Sequence, residues 1–253
     1  MTDERAATAA PEGAAKTRKG EQTRAQILET ALVLFRERGY EETTMRAIAE
    51  AAGVAVGNAY YYFRSKEYLI QAFYQRSHDE HLAATGEILA AESDLRARLL
   101  GVMRAKIDTS MPYHRFAAVL FKTAADPKSP LNPFHEDSRE IREKAIALFT
   151  EVLEGSTTRL RHAELRAELP HLLWMYEMGI VLYWIHDDSP GCRRTYHLLE
   201  HTVTLVVRLI ALANLPLMRP LIRTTLELLG DLRGPHPPGE GGSELPDETD
   251  LDL

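Results

Sequence analysis

The sequence predicts an all-α fold, and three observations lead there. Apolar residues recur at i, i+3, i+4 and i+7, not in alternation. No Asn-Gly or Asp-Gly pair marks a hairpin. Proline, glycine and serine cut the chain into pieces of helical length, at Met111-Pro112, across residues 126–133, at Ser189-Pro190-Gly191 and at Leu215-Pro216. With 253 residues, 45% of them hydrophobic, the chain can bury the core of one large domain or two small ones.

Taken in order, residues 1–20 lack large apolar side chains and periodicity, and read as a disordered basic arm. Residues 23–38 form a first helix whose stripe is Ile27, Leu28, Ala31, Leu34 and Phe35, with Gly39 as its stop. A second helix, 45–52, buries Met45, Ile48, Ala49 and Ala52, and Thr43 or Thr44 caps it. Gly53 permits a tight turn with Val54 plugged beneath. A short third helix, 56–62, turns Val56, Ala59 and the following Phe63 to the core. Ser65 caps a long fourth helix beginning at Lys66, with Glu67 favourable in its first turn. Further helices are expected at 94–108, 113–122, 138–154, 167–186, 193–212 and 219–229. The acidic, Pro- and Gly-rich segment 231–253 reads as a disordered tail.

A net charge of −7 argues, taken globally, against nucleic acid as a partner. The charges are segregated, however. Lys16, Arg18, Lys19 and Arg24 lie close together near the start, and the acidic excess comes later, so one basic surface can sit on an acidic body. The single cysteine, Cys192, rules out an internal disulfide and fits a reducing compartment. Nothing near Met1 resembles a secretion signal. The longest apolar run, 172–185, is interrupted by Glu177 and is short for a bilayer. A cytoplasmic protein with no membrane partner is expected.

The segment TMRAIAEAAGVAVGNAYYYFRSKE, residues 44–67, carries the functional signal. Two short helices joined by a glycine turn form a helix-turn-helix, whose second helix enters the major groove. Successive helical positions turn by about 100°, so Tyr60, Tyr61 and Tyr62 cannot all face inward. A phenol that stays outside can donate to a phosphate, and Asn58 can pair with adenine. Core packing is the alternative reading, strongest for Tyr62 and weakest for Tyr61.

This stretch resembles the DNA-binding domain of the TetR family of bacterial transcriptional regulators. The resemblance runs through ILETALVLFRERGY, Thr43-Thr44, IAEAAGVA, GNAYYYF and SKE, and covers about residues 21–81. It implies a three-helix helix-turn-helix domain at 21–81, with the motif at 44–63, followed by a helical ligand-binding and dimerisation domain at 82–230. Residue by residue, it implies that Thr43, Thr44, Tyr60 and Lys66 touch phosphates and that Arg46, Gly57, Asn58 and Tyr61 lie at or near base edges. Tyr62 and Phe63 are then largely structural. One departure is Ala55, where the family commonly has a serine that would cap the recognition helix.

The resemblance further implies double-stranded DNA as a partner, a homodimer and a small-molecule effector. The segments 167–186 and 193–212 suit the dimer, because 172–185 is apolar all round and 198–212 nearly so. Each run carries one charge, Glu177 and Arg208, which can pair or, for Glu177, meet a ligand. An effector pocket would draw on Met103, Phe116, Phe121, Trp174, Met175, Glu177 and Met178, each of which also reads as plain core. Their largely apolar and aromatic character suits a hydrophobic or aromatic effector, whose occupancy would move the fourth helix and with it the reading head. The pairs His78/His81 and His197/His201 each share a helix face but lack a third ligand by spacing, so no metal is expected, nor any cofactor. No nucleophile–base pair, phosphate loop or metal signature points to catalysis. A helical enzyme or carrier without DNA contact, and a regulator with a protein effector or none, are the competing classes.

Overall fold

The computed structural model describes residues 12–233, with side chains at 18–225 and 227. Ten α-helices make up the described chain: α1 Glu12–Arg38, α2 Met45–Ala51, α3 Val56–Tyr62, α4 Lys66–Ala91, α5 Leu95–Ser110, α6 His114–Ala124, α7 Arg139–Glu154, α8 Ala163–Ile185, α9 Arg193–Ala213 and α10 Arg219–Arg233. No strand occurs among the described residues.

The expected boundaries fall within a few residues of these, with two exceptions. Helix α1 begins at Glu12, eleven residues before the expected Thr23, so residues 12–20 are not an irregular arm. The segment EGAAKTRKGEQ is rich in alanine, lysine, glutamate and glutamine, which support a helix without any apolar stripe. The expected disorder of residues 1–11 and 234–253 lies outside the described residues. Helix α8 starts at Ala163 rather than 167 and runs through Pro170. That proline removes a single hydrogen bond, and it is buried beside Leu169 and Leu173, whose packing offsets the loss.

Two apolar clusters organise the molecule. The first joins Ile27, Phe35, Ile48, Ala59, Phe63, Leu69 and Phe73 of α1–α4 to Phe116 and Leu120 of α6. The second joins the end of α4 to α5, α7, α8 and α9 through Leu89, Leu99, Phe149, Trp174 and Val203. The expected domain boundary after residue 81 therefore falls inside α4, a continuous 26-residue helix that contributes to both clusters.

Polar side chains fix the junctions. His81 is buried, and its Nε2 lies 2.9 Å from the Val102 carbonyl, an arrangement that fits a neutral ring donating across the α4–α5 contact. Asp94 caps α5 by accepting from the Ala97 amide at 3.0 Å. Between α8 and α9 the chain takes two consecutive left-handed residues, Gly191 at φ +63° and Cys192 at φ +51°. Asp187 pins this turn, accepting from the Thr195 amide at 2.8 Å, the Thr195 hydroxyl at 2.7 Å and the Ser189 amide at 2.9 Å. Burial alone would raise its pKa, but these hydrogen bonds outweigh it and hold the carboxyl at about 2.

Candidate nucleic-acid interface

Helix α2 starts where Thr44 accepts a hydrogen bond from the Ala47 amide at 3.2 Å. It buries Met45, Ile48 and Ala49 and ends at Ala52, where the Gly53 φ of +65° turns the chain back. The turn is held from α1 by Gln26, which donates to the Ala52 carbonyl at 2.8 Å. Val54 packs into the cluster beneath it. Helix α3 starts at Ala55 with no side-chain cap.

This short helix has two sides. Ala59 and the following Phe63 are buried and seat it on the core. Gly57, Asn58, Tyr60 and Tyr61 point outward, with Tyr61 80% exposed and Tyr60 50%. Tyr62 is half-buried, packed against the cluster, and its ring meets Tyr61 edge-on at 5.1 Å. Arg46 is exposed on α2. The basic start of α1 runs past the same place: a Cβ on Gly20 would lie 3.5 Å from the Tyr62 hydroxyl, and Arg24 stacks over Phe63 at 4.9 Å. Arg18, Lys19, Arg24 and Arg64 are exposed around α3 and supply local positive charge.

Two expected contacts are placed differently. The Thr43 side chain is fully buried, and its hydroxyl donates to the Gly39 carbonyl at 2.7 Å, so it closes the end of α1 and faces no phosphate. Lys66 is only partly exposed. Its Nζ donates to the Tyr40 carbonyl at 2.6 Å and lies 4.4 Å from the Tyr40 ring centroid. The Tyr40 hydroxyl in turn donates to Glu67 at 3.0 Å, and burial together with that carboxylate pushes the phenol's pKa up. Ser65 stands at the cap position of α4 without a side-chain capping bond. Val56, which the sequence reads as core-facing, is 37% exposed beside Gly57. Its place at the first turn of α3, ahead of the buried Ala59, is the signal that could have marked it.

The expected pocket residues do not share one lining. Phe116 is buried in the first cluster, stacked on Phe35 at 6.0 Å and edge-on to Phe73 at 5.4 Å. Met175 is exposed on α8. Phe121 meets His186 at 5.5 Å. Met103, Trp174 and Glu177 are buried in the second domain, and Met178 packs partly against its cluster. Two clefts, of about 580 and 750 Å³, are lined by other residues, around Arg98 and Gly155 and around Tyr183 and Arg193. Arg208 is exposed and makes no ion pair with Glu177 within the chain. The His197 and His201 rings lie 4.3 Å apart on the surface, and no group of three or more His, Cys, Asp or Glu converges among the described residues.

Comparison with known proteins agrees with this arrangement. Residues 27–73 match the profile described as "Bacterial regulatory proteins, tetR family", and residues 98–228 match "Tetracyclin repressor-like, C-terminal domain". The chain is 30% identical over 190 residues to the HTH-type transcriptional regulator TtgR of Pseudomonas putida, covering 74% of this chain and 86% of that one. It is 33% identical over 96 residues to the HTH-type transcriptional repressor KstR2 of Rhodococcus jostii, covering 38% of this chain and 47% of that one. Among solved structures, a tetR-family transcriptional regulator from Streptomyces coelicolor superposes with a TM-score of 0.59 at 24% identity, over 84% of this chain and 94% of its own.

Proposed function

The chain belongs to the TetR family of bacterial transcriptional regulators, and on that premise we propose that it represses transcription as a dimer on a palindromic operator and is released by a small effector. The observation that carries the reading is the outward edge of α3, where Gly57, Asn58, Tyr60 and Tyr61 stand free while Ala59 and Phe63 are anchored. Asn58 and Tyr61 then read base edges, with Arg46 and Gly57 alongside. Tyr60, Thr44 and the partly exposed Lys66 reach phosphates. Thr43 is left out of this set.

Self-association is supported by apolar side chains that the single chain leaves uncovered on its last long helices: Met175, Leu182 and Tyr183 of α8 and Leu205, Leu209 and Leu212 of α9. The span Pro190–Ala213 is long and apolar enough to cross a membrane by length and composition. Its exposed Arg193, Arg194, His197, Glu200, His201 and Arg208 suit a protein interface better. A two-fold dimer places two reading heads on two half-sites. The effector would enter the second domain among Met103, Trp174, Glu177 and Met178. The site of action is the cytoplasm, where the operator is, and no catalytic role is assigned.

The experiment is selection from a random duplex library by the full chain at low and moderate salt. Enrichment of a palindrome is expected. Enrichment of a single half-site would overturn the dimer, and no enrichment at either salt would overturn unaided operator binding.

A further inference from the structure

We propose that Glu177 is the recognition point for an organic cation, an effector with an aromatic or alkyl body and a protonated amine head. The proposal deepens the effector part of the function above and rests on it.

The inward face of α8 is made of Leu169, Leu173, Trp174, Glu177, Ile180 and Trp184, all buried. Glu177 is the one ionisable side chain in that set. It is 3% exposed, and its Oε1 has no hydrogen-bond partner. A carboxyl taken from water with an oxygen unpaired is unfavourable, and a leucine or methionine at this place would complete the apolar face. The residue is therefore explained best by a partner that comes and goes.

The surroundings indicate the sign of that partner. Trp174 and Trp184 are the only tryptophans in the chain. One lies a turn before Glu177 and the other two turns after it, on the same face. Indole faces attract cations more strongly than other aromatic rings do. A buried carboxylate is complementary to an ammonium head and repels an anion.

Across from α8, His78 of α4 is also buried, with its Nε2 unpartnered. Lys106 of α5 acts electrostatically on Glu177 and on both His78 and His81. Burial pushes the Glu177 carboxyl up, and the Lys106 ammonium works against that. Glu177 is buried and lines neither of the two clefts described above, so a ligand that reaches it must displace packed side chains. Occupancy is then tied to a change of conformation.

The two tryptophans supply the readout. Quenching of their fluorescence is titrated with 4-phenylbutylamine, 4-phenylbutanol and 4-phenylbutyrate, which share one body and differ in head group. The amine is expected to bind at least about tenfold more tightly than the other two. The advantage should disappear in Glu177→Gln, and should shrink as the pH is lowered and protons compete for the carboxylate. Unliganded Glu177→Gln should melt at or above the wild-type temperature, since a neutral amide costs less to bury than a carboxylate. Tighter binding of the alcohol or the acid, or an amine affinity unchanged in Glu177→Gln, would overturn the cation assignment alone. No quenching by any of the three, with operator binding intact, would overturn the effector reading and the proposal together.

Discussion

The guanidinium of Arg98 occupies the space that a side chain at residue 155 would need. A Cβ on Gly155 would lie 2.6 Å from Arg98 Cζ. From that position Arg98 donates to the carbonyls of Leu89 and Glu92 at the end of α4 and of Glu151 and Val152 at the end of α7, at 2.6 to 2.9 Å. One buried cation thus closes two helix C-termini and meets the negative ends of both dipoles. Gly155→Ala should cost about 1–3 kcal/mol by overpacking. Arg98→Leu should cost at least about 3 kcal/mol, because several buried carbonyls lose their donor at once. Urea unfolding of the two variants checks both values.

The burial pattern around α3 separates reading from folding. Tyr61→Ala should leave the melting temperature unchanged and alter sequence preference in a duplex selection. Thr43→Val should do the reverse, costing about 1–2 kcal/mol through its lost hydrogen bond and leaving preference intact. Lys66→Ala should weaken binding to every sequence and flatten the salt dependence. It should also lower stability by about 1 kcal/mol, because its ammonium holds the Tyr40 carbonyl.

Stability should fall with acid well before the carboxylates titrate. Burial holds His81 neutral, with its pKa down at about 3 against an ordinary value near 6.5. The unfolded chain takes up a proton where the folded chain does not. Stability is therefore full above about pH 6.5 and declines as pH drops toward 3, by up to about 1.4 kcal/mol per pH unit for one such group. His78 is shifted in the same direction, by burial first and Lys106 second. Asp187 loses its stabilising hydrogen bonds only below its ordinary value near 3.8. Urea midpoints at about pH 7.5 and about pH 5 isolate the histidines from it. His81→Gln, which can still donate to the Val102 carbonyl, should flatten the slope.

Leu205 and Leu209 are each 55% exposed in the single chain. Leu205→Glu with Leu209→Glu should leave the protomer folded by circular dichroism. The pair should convert a dimer to a monomer in light scattering and weaken binding to a palindrome far more than to a half-site. An unchanged mass would place the interface elsewhere.

Helix positions were legible from local punctuation. Pro112, Pro190 and Pro216 stop or start helices wherever they occur, and the Ile27-to-Phe35 stripe shows its buried face without reference to the rest of the fold. The outward placement of Tyr60 and Tyr61 was legible for the same reason, since three tyrosines on one turn cannot share a side. Thr43 and Val56 were misplaced because their exposure depends on where α1 ends and how α3 sits on α4. Phe116 was assigned to the wrong cluster because periodicity shows that a residue is buried but not against what. The role of Arg98 was invisible, since its four acceptors come from residues 89 to 152.

Helix α4 works as a rigid pointer. Its 26 residues span about 39 Å at 1.5 Å per residue. One end, at Leu89, lies in the second cluster, and the other, at Leu69, Ile70 and Phe73, lies in the first cluster with Ala59 of α3. A tilt of about 5° over that length moves the far tip by roughly 3.4 Å, one base-pair step of B-DNA. Half-sites sit a fixed helical turn apart. A displacement too small to disturb the core is thus large enough to put one reading head a full base out of register with the other.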